Sequence, residues 1–247
     1  MKSLNEDLKT GQFKQIYLLY GEEAYLKKLY KNRFVKAMVP EGDTMNYRYF
    51  EGKNTNPKEI IDLAETLPFF AERRLIVLDT LCASVGQAML VREAARKQQE
   101  GLSIDELAAW VEENRLKICH WFTVDSFDHL KHGGRISAAA AAVGTMLQIK
   151  PLLHVDDEGK LRVAEKPRGR KQAIRTQIAH MKEGWTPEMS RLVVIGHGDC
   201  PEDAEQLRQA VLREFPDADI RTAYIGPIIG AHTGPGMLAL IYWGANR

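Results

Sequence analysis

Residues 225–236 read Ile-Gly-Pro-Ile-Ile-Gly-Ala-His-Thr-Gly-Pro-Gly. Two side chains there carry hydrogen-bonding tips, His232 and Thr233. Ile228, Ile229, Met237 and Leu238 frame them with apolar groups. The glycines, Gly234 among them, let the backbone turn at positive φ or approach a ligand closely. A polar pair held on a Gly-rich loop in an apolar frame suits a ligand that is mostly apolar with one polar end. The same residues also fit a strand–turn–strand in which His232 is incidental, and composition leaves both readings open.

Other side chains invite chemistry less directly. Gly196-His-Gly-Asp-Cys-Pro201 sets His197, Asp199 and Cys200 close together, the ingredients of a Cys–His nucleophile. Pro201 favours the first turn of a helix, which makes Asp199 or Cys200 a capping residue instead. His120, His129, His154 and His180 show no metal-ligand spacing, and Cys82, Cys119 and Cys200 are too scattered for zinc. Tyr20-Gly-Glu-Glu23 has one glycine followed by two carboxylates, which repel phosphate, so it is not a nucleotide loop. Arg168-Gly-Arg-Lys171 reads as a solvated basic run. No catalytic residue, metal or cofactor is expected, and the protein is not read as an enzyme.

These residues sit in a chain of 247 with a net charge of +1, 45% apolar and 27% charged. That composition is ordinary for a globular protein and offers no global basic field to nucleic acid or membranes. Sparse cysteines suit reduced thiols in a cytoplasmic protein. Met-Lys-Ser-Leu-Asn-Glu-Asp lacks the apolar run of a signal peptide, and no apolar run approaches the roughly 20 residues that span a bilayer.

Hydrophobic periodicity places the elements. It predicts a helix over 1–12, a strand over 15–20, a helix over 22–39, a strand over 46–50, a helix over 58–66 and a strand over 75–78. This β-α-β-α-β series implies a parallel sheet. Phe69 and Phe70, after Leu67-Pro68, are either core residues or an exposed anchor. Further on, helices are expected over 84–100, from the capping box Ser103-x-x-Glu106, over 138–147, after Arg168, and over 202–214. Strands are expected over 118–124, 149–154, 161–165 and 192–195. Two more, 219–224 and 237–243, flank the Gly-rich loop.

Two family resemblances attach to these segments. Ile16-Tyr-Leu-Leu-Tyr-Gly-Glu-Glu-Ala-Tyr-Leu26, Asn46-Tyr-Arg-Tyr-Phe50 and Leu67-Pro-Phe-Phe-Ala-Glu-Arg-Arg-Leu-Ile-Val77 resemble the start of the delta subunit of the bacterial DNA polymerase III clamp loader. That resemblance implies an AAA+-like core without a working nucleotide site, and a tip at Phe69 and Phe70 that wedges into the sliding clamp. From Asp79 onward the chain resembles the DegV family. The carrying motifs are Asp79-Thr-Leu-Cys-Ala-Ser-Val-Gly-Gln87, Gly133-Gly-Arg-Ile-Ser137, Ile149-Lys-Pro-Leu152, Arg168-Gly-Arg-Lys171, Gly196-His-Gly-Asp-Cys-Pro201 and the 225–236 loop.

The DegV resemblance implies a two-domain α/β protein that holds a long-chain fatty acid between its domains and presents it to a fatty-acid kinase. His232 would hydrogen-bond the carboxylate, Thr233 and Gly234 would shape the loop around it, and Arg135 and Ser84 would belong to the same site. Arg168 and Arg170 would lie on the face seen by the kinase. A buried carboxylate needs donors. Each buried CH₂ adds about 0.8 kcal/mol, so a sixteen-carbon chain gains on the order of 10 kcal/mol before ordering costs. The family's N-terminal Thr-Ser-x-Pro-Ser and Ser-Gly-x-Ser-Gly-Thr elements do not occur here, which implies weakened binding. The expected organisation is a chimera joined within 75–79. Residues 1–120 would form a parallel Rossmann-like domain, delta-like over 1–79 and DegV-like over 80–120. Residues 121–247 would form the DegV-type C-terminal domain, with a cleft between the two. The alternatives are a clamp-binding module and a fusion with no selected function.

Overall fold

The structure is a computed structural model. It describes residues 2–14, 17, 19, 24–50, 59, 75–136 and 148–247. Apart from residues 17, 19 and 59, the expected strand over 15–20, the Gly21-Glu22-Glu23 turn, the helices over 58–66 and 138–147, and Phe69 and Phe70 lie outside the described residues. The chain divides into two compact units, Met1–Thr80 with Leu90–Glu113, and Leu81–Met89 with Asn114–Arg247.

The first unit holds α1 (Lys2–Thr10), α2 (Ala24–Met38), β1 (Tyr47–Phe50) and β2 (Leu75–Leu78). It also holds most of α3 (Ser84–Gln99) and α4 (Ile104–Asn114). Tyr30 and Phe34, one helical turn apart, form the buried stripe of α2. The Tyr30 hydroxyl donates to Asn5 Oδ1 at 3.2 Å, tying α2 to α1. β1 and β2 pair in parallel from Tyr47↔Leu75 to Phe50↔Leu78, as the alternation with helices requires. The capping box at α4 is made in both directions. Ser103 N–H donates to Glu106 Oε2 at 2.7 Å, and Glu106 N–H donates to Ser103 Oγ at 3.3 Å.

The second unit is built on a six-stranded sheet. Its strands are β3 (Ile118–Thr123), β4 (Leu152–Val155), β5 (Leu161–Glu165), β6 (Leu192–His197), β7 (Asp219–Tyr224) and β8 (Leu238–Trp243), in the order β5-β4-β3-β8-β6-β7. Only β6 and β7 run parallel; the other neighbours are antiparallel. β8 is buried along its whole length, which explains why Leu-Ala-Leu-Ile-Tyr-Trp is a continuous apolar run rather than an alternation. Helices α6 (Gly169–Gly184) and α7 (Pro201–Glu214) follow β5 and β6. They close a core through Ile174, Ile178 and Met181, and through Ala204, Leu207 and Val211.

Two expectations change. A domain boundary after residue 120 would cut β3, whose residues all pair with β8 and belong to the second unit. The Gly-rich stretch forms a short helix, α8 (Pro227–Thr233), rather than a loop or a turn between strands. Pro227 pre-sets the first helical φ, so Gly230 and a proline do not prevent a helix here. Gly234 stops it at φ 75°, its N–H donating to Gly230 O at 2.8 Å.

Candidate functional site

Four strand ends form a row along one end of the six-stranded sheet. Thr123 lies opposite Leu238, Leu238 opposite His197, and His197 beside Tyr224. The chain leaves β3 here into α5 (Asp128–His132) and Gly133-Gly134, leaves β6 into residues 198–200, and leaves β7 into α8. Distant motifs therefore arrive at one place because the strands that carry them end in register.

At this end α8 packs on α5. The His232 ring lies so close to Gly133 that a Cβ on Gly133 would overlap its Nδ1. Arg135, exposed, donates from its guanidinium to the Gly133 carbonyl at 2.8 Å. An imidazole and a guanidinium thus come to the same glycine. Gly134, at φ 68°, makes the turn that brings Arg135 back, its own N–H bonded to Lys131 O at 3.0 Å. Thr233 is buried, and its hydroxyl donates to Ile229 O at 2.9 Å. Its single proton is committed to that carbonyl, so it donates to a ligand only by turning away from Ile229.

Arg170 and Arg168 separate. The Arg170 side chain is mostly buried and donates to Asp125 Oδ1 at 2.7 Å, Asp203 Oδ2 at 2.8 Å and Gly236 O at 2.6 Å. It pins the loop after β3, the start of α7 and the segment before β8 to the first turn of α6. This internal role replaces the solvated basic run read from sequence. Arg168, at the N-cap of α6, is exposed. Ser84 opens α3 at φ 47°, and its neighbours Ala83 and Gly86 lie against His120. His120 is three residues back along β3 from Thr123, about 10 Å at the rise of a strand.

The Cys–His dyad is not assembled. Cys200 Sγ donates to Met237 O at 3.2 Å, while His197 Nδ1 accepts from the Cys200 backbone N–H at 3.4 Å. Burial pushes the Cys200 thiol pKa up, away from the thiolate a nucleophile requires. Cys200 does hold the N-cap position of α7, but its side chain makes no capping bond. Among the described residues no three His, Cys, Asp or Glu side chains cluster as metal ligands. No helix among them is long and apolar enough to cross a membrane.

Two residues at this end escape a reading of the sequence. The His129 ring rests against Gly234, where a Cβ would overlap it, so α5 and α8 each press a histidine onto the other's glycine segment. Asp125 lies against Gly236 in the same manner. The available signal was position alone: His129 precedes Gly133 by one helical turn.

The family model for uncharacterised proteins of the DegV family matches residues 59–244. A shorter match to the DNA polymerase III delta subunit covers residues 17–94 and overlaps it. The DegV match therefore begins before the join expected within 75–79. A DegV domain-containing protein of Clostridium perfringens is 41% identical over 220 residues, covering 87% of this chain and 76% of that protein. The fatty acid binding DegV family protein of Streptococcus agalactiae is 30% identical with a TM-score of 0.58, over 67% of this chain and 59% of that one. A fatty-acid-binding DegV family protein of Thermus thermophilus is 29% identical with a TM-score of 0.61, over 71% and 62%. The chain thus spans about three fifths of the length of those two structures. With three quarters of the chain under one family model and a relative of 41% identity, the chain belongs to the DegV family.

Proposed function

We propose that this protein binds a long-chain fatty acid, with the carboxylate held at the loop end of the six-stranded sheet. The observation that carries this reading is the convergence of the His232 imidazole and the Arg135 guanidinium on Gly133. Two nitrogen donors at one point match the needs of a carboxylate leaving water. Thr233 and Gly234 shape the wall behind it, and Ser84 is assigned no role. The Streptococcus agalactiae and Thermus thermophilus relatives, both described as fatty-acid-binding, support the ligand class. The site acts by binding and presentation, with no cofactor and no covalent chemistry, in the cytoplasm. A fatty-acid kinase is the proposed receiver of the acyl chain, docking by way of exposed Arg168.

The N-terminal segment, on this reading, is delta-like and lacks the hydroxyl donors that DegV resemblance leads one to expect, so affinity is weakened. The overlapping match to the delta subunit supports that part. It also favours a second reading, docking to a sliding clamp through Phe69 and Phe70. Comparing clamp pull-down by the protein and by Phe70→Ala decides it: equal recovery removes the clamp reading. For the first reading, the purified protein is extracted and analysed for acyl chains, and a fluorescent fatty acid is titrated into delipidated protein. Saturable binding that His232→Ala weakens at least about tenfold is expected. No acyl chain from any expression host together with no saturable binding would overturn it.

A further inference from the structure

β7 ends the six-stranded sheet and pairs only with β6 among the described strands. The N–H groups of Asp219 and Ile225 both donate toward β6, to Arg191 O and His197 O at 2.9 Å each. Backbone groups alternate direction along a strand, so Ile220, Thr222 and Tyr224 turn their N–H and C=O outward. That edge is exposed from Arg221 to Tyr224, and Tyr224 is 70% exposed. No proline or lysine lies on it, and the two charges that it does carry, Asp219 and Arg221, are paired with each other at 3.3 Å.

We propose that a second copy of this chain pairs with β7 edge to edge, antiparallel, about a two-fold axis at Thr222. Backbone parity, side-chain pairing and the avoidance of like charges select this register. An axis at Arg221 sets two guanidinium groups opposite each other. An axis at Ile220 runs the strand onto Pro216, which has no N–H to give, and onto the turn closed by Ala218 N–H to Phe215 O at 3.1 Å. An axis at Ala223 carries Ile220 onto Gly226, where α8 begins. With the axis at Thr222, the outward groups of all three residues find partners. Ile220 faces the second copy's Tyr224 twice over, and Thr222 faces Thr222. These are aromatic–β-branched and Thr–Thr pairs, both favourable across antiparallel strands. Arg221 faces Ala223, so the 3.3 Å ion pair between Arg221 and Asp219 survives in each strand and both edges meet neutral. Isologous pairing of this kind closes at two copies. The strand is far shorter than the about 20–30 residues per side of a standard interface, so the dimer dissociates on dilution.

Sedimentation equilibrium of the full chain, from low micromolar to near-millimolar concentration, tests the proposal. A concentration-dependent monomer–dimer equilibrium is expected. Thr222→Pro removes an N–H that points away from β6, so it should cut the association constant at least about tenfold with an unchanged circular dichroism spectrum. Thr222→Cys should cross-link to itself under mild oxidation, since directly opposed hydrogen-bonded residues have Cα atoms about 5.5 Å apart. The parent chain, with its three native cysteines, should not. A parent chain that stays monomeric throughout would overturn the proposal. So would a dimer that Thr222→Pro leaves intact while folded, or one that cross-links through Ile220→Cys but not through Thr222→Cys.

Discussion

The His232 ring occupies the space that a side chain on Gly133 would take. That contact joins the end of α8 to the turn after α5, two segments about a hundred residues apart in the chain. Gly133→Ala should therefore displace the imidazole while leaving the sheet alone, because Gly133 lies in the turn beyond α5. Fatty-acid affinity should fall at least about tenfold, equivalent to about 1.4 kcal/mol. The checks are a fluorescent fatty-acid titration and an unchanged urea midpoint. Unchanged affinity would detach His232 from the ligand.

Arg170 joins three segments at once. Removing its charge in Arg170→Met leaves the Asp203 carboxylate without the guanidinium, Asp125 with Lys150 alone as its cation, and the Gly236 carbonyl without its donor. Urea unfolding should show a loss of about 1–3 kcal/mol. Arg170→Lys should recover only part of this, since an ammonium cannot fork to three acceptors as a guanidinium does. A full recovery with lysine would show that charge alone, rather than the fork, holds the loops.

His120 makes stability pH-dependent. It is 4% exposed, and burial, then the positive charge of Arg247, lowers its pKa from 6.5 to about 3. The folded state thus favours neutral imidazole. That contribution is complete above the unfolded pKa near 6.5 and is lost as the pH falls through the window down to about 3, at up to about 1.4 kcal/mol per pH unit. Urea midpoints measured from pH 7 to pH 4 should decline, and His120→Gln, which cannot titrate, should flatten that decline. An identical slope in the variant would assign the acid sensitivity to other groups.

Cys119 should resist alkylation. Burial raises its thiol pKa to about 11, and its Sγ donates to Asn246 O at 3.1 Å. At pH 8 only about one thiol in a thousand would be thiolate. Mass-spectrometric mapping of iodoacetamide labelling should find Cys119 modified only on the timescale of unfolding. Rapid labelling in the folded state would mean that β3 opens locally.

Part of this was legible in the sequence, for identifiable reasons. Ser103 and Glu106 carry a capping signal wholly within four residues, and the structure makes both its bonds. The runs at 192–195 and 237–243 announce buried strands because both faces of β6 and β8 are covered. His232 and Thr233 stand out as polar tips among apolar neighbours. The helix they belong to does not, since its glycines suggest a loop while Pro227 and Gly234 in fact start and stop a helical turn. Arg170 reads as surface charge because its partners, Asp125 and Asp203, lie 45 residues before it and 33 after. His129 has no ligand spacing, and its place against Gly234 depends on α5 meeting α8, a contact no local pattern encodes.

Among the described strands β8 comes last in the chain, yet it lies in the middle of the sheet, with β3, β4 and β5 on one side and β6 and β7 on the other. Before it inserts, those two groups share no strand pairing, and Gly133 and His232 have no common scaffold. Closure must wait for a pairing between Ile118 and Trp243, a sequence separation that makes contact formation slow. A ribosome-bound chain therefore carries the Gly133 segment long before His232 can be seated against it, and that contact reports that synthesis has passed β8.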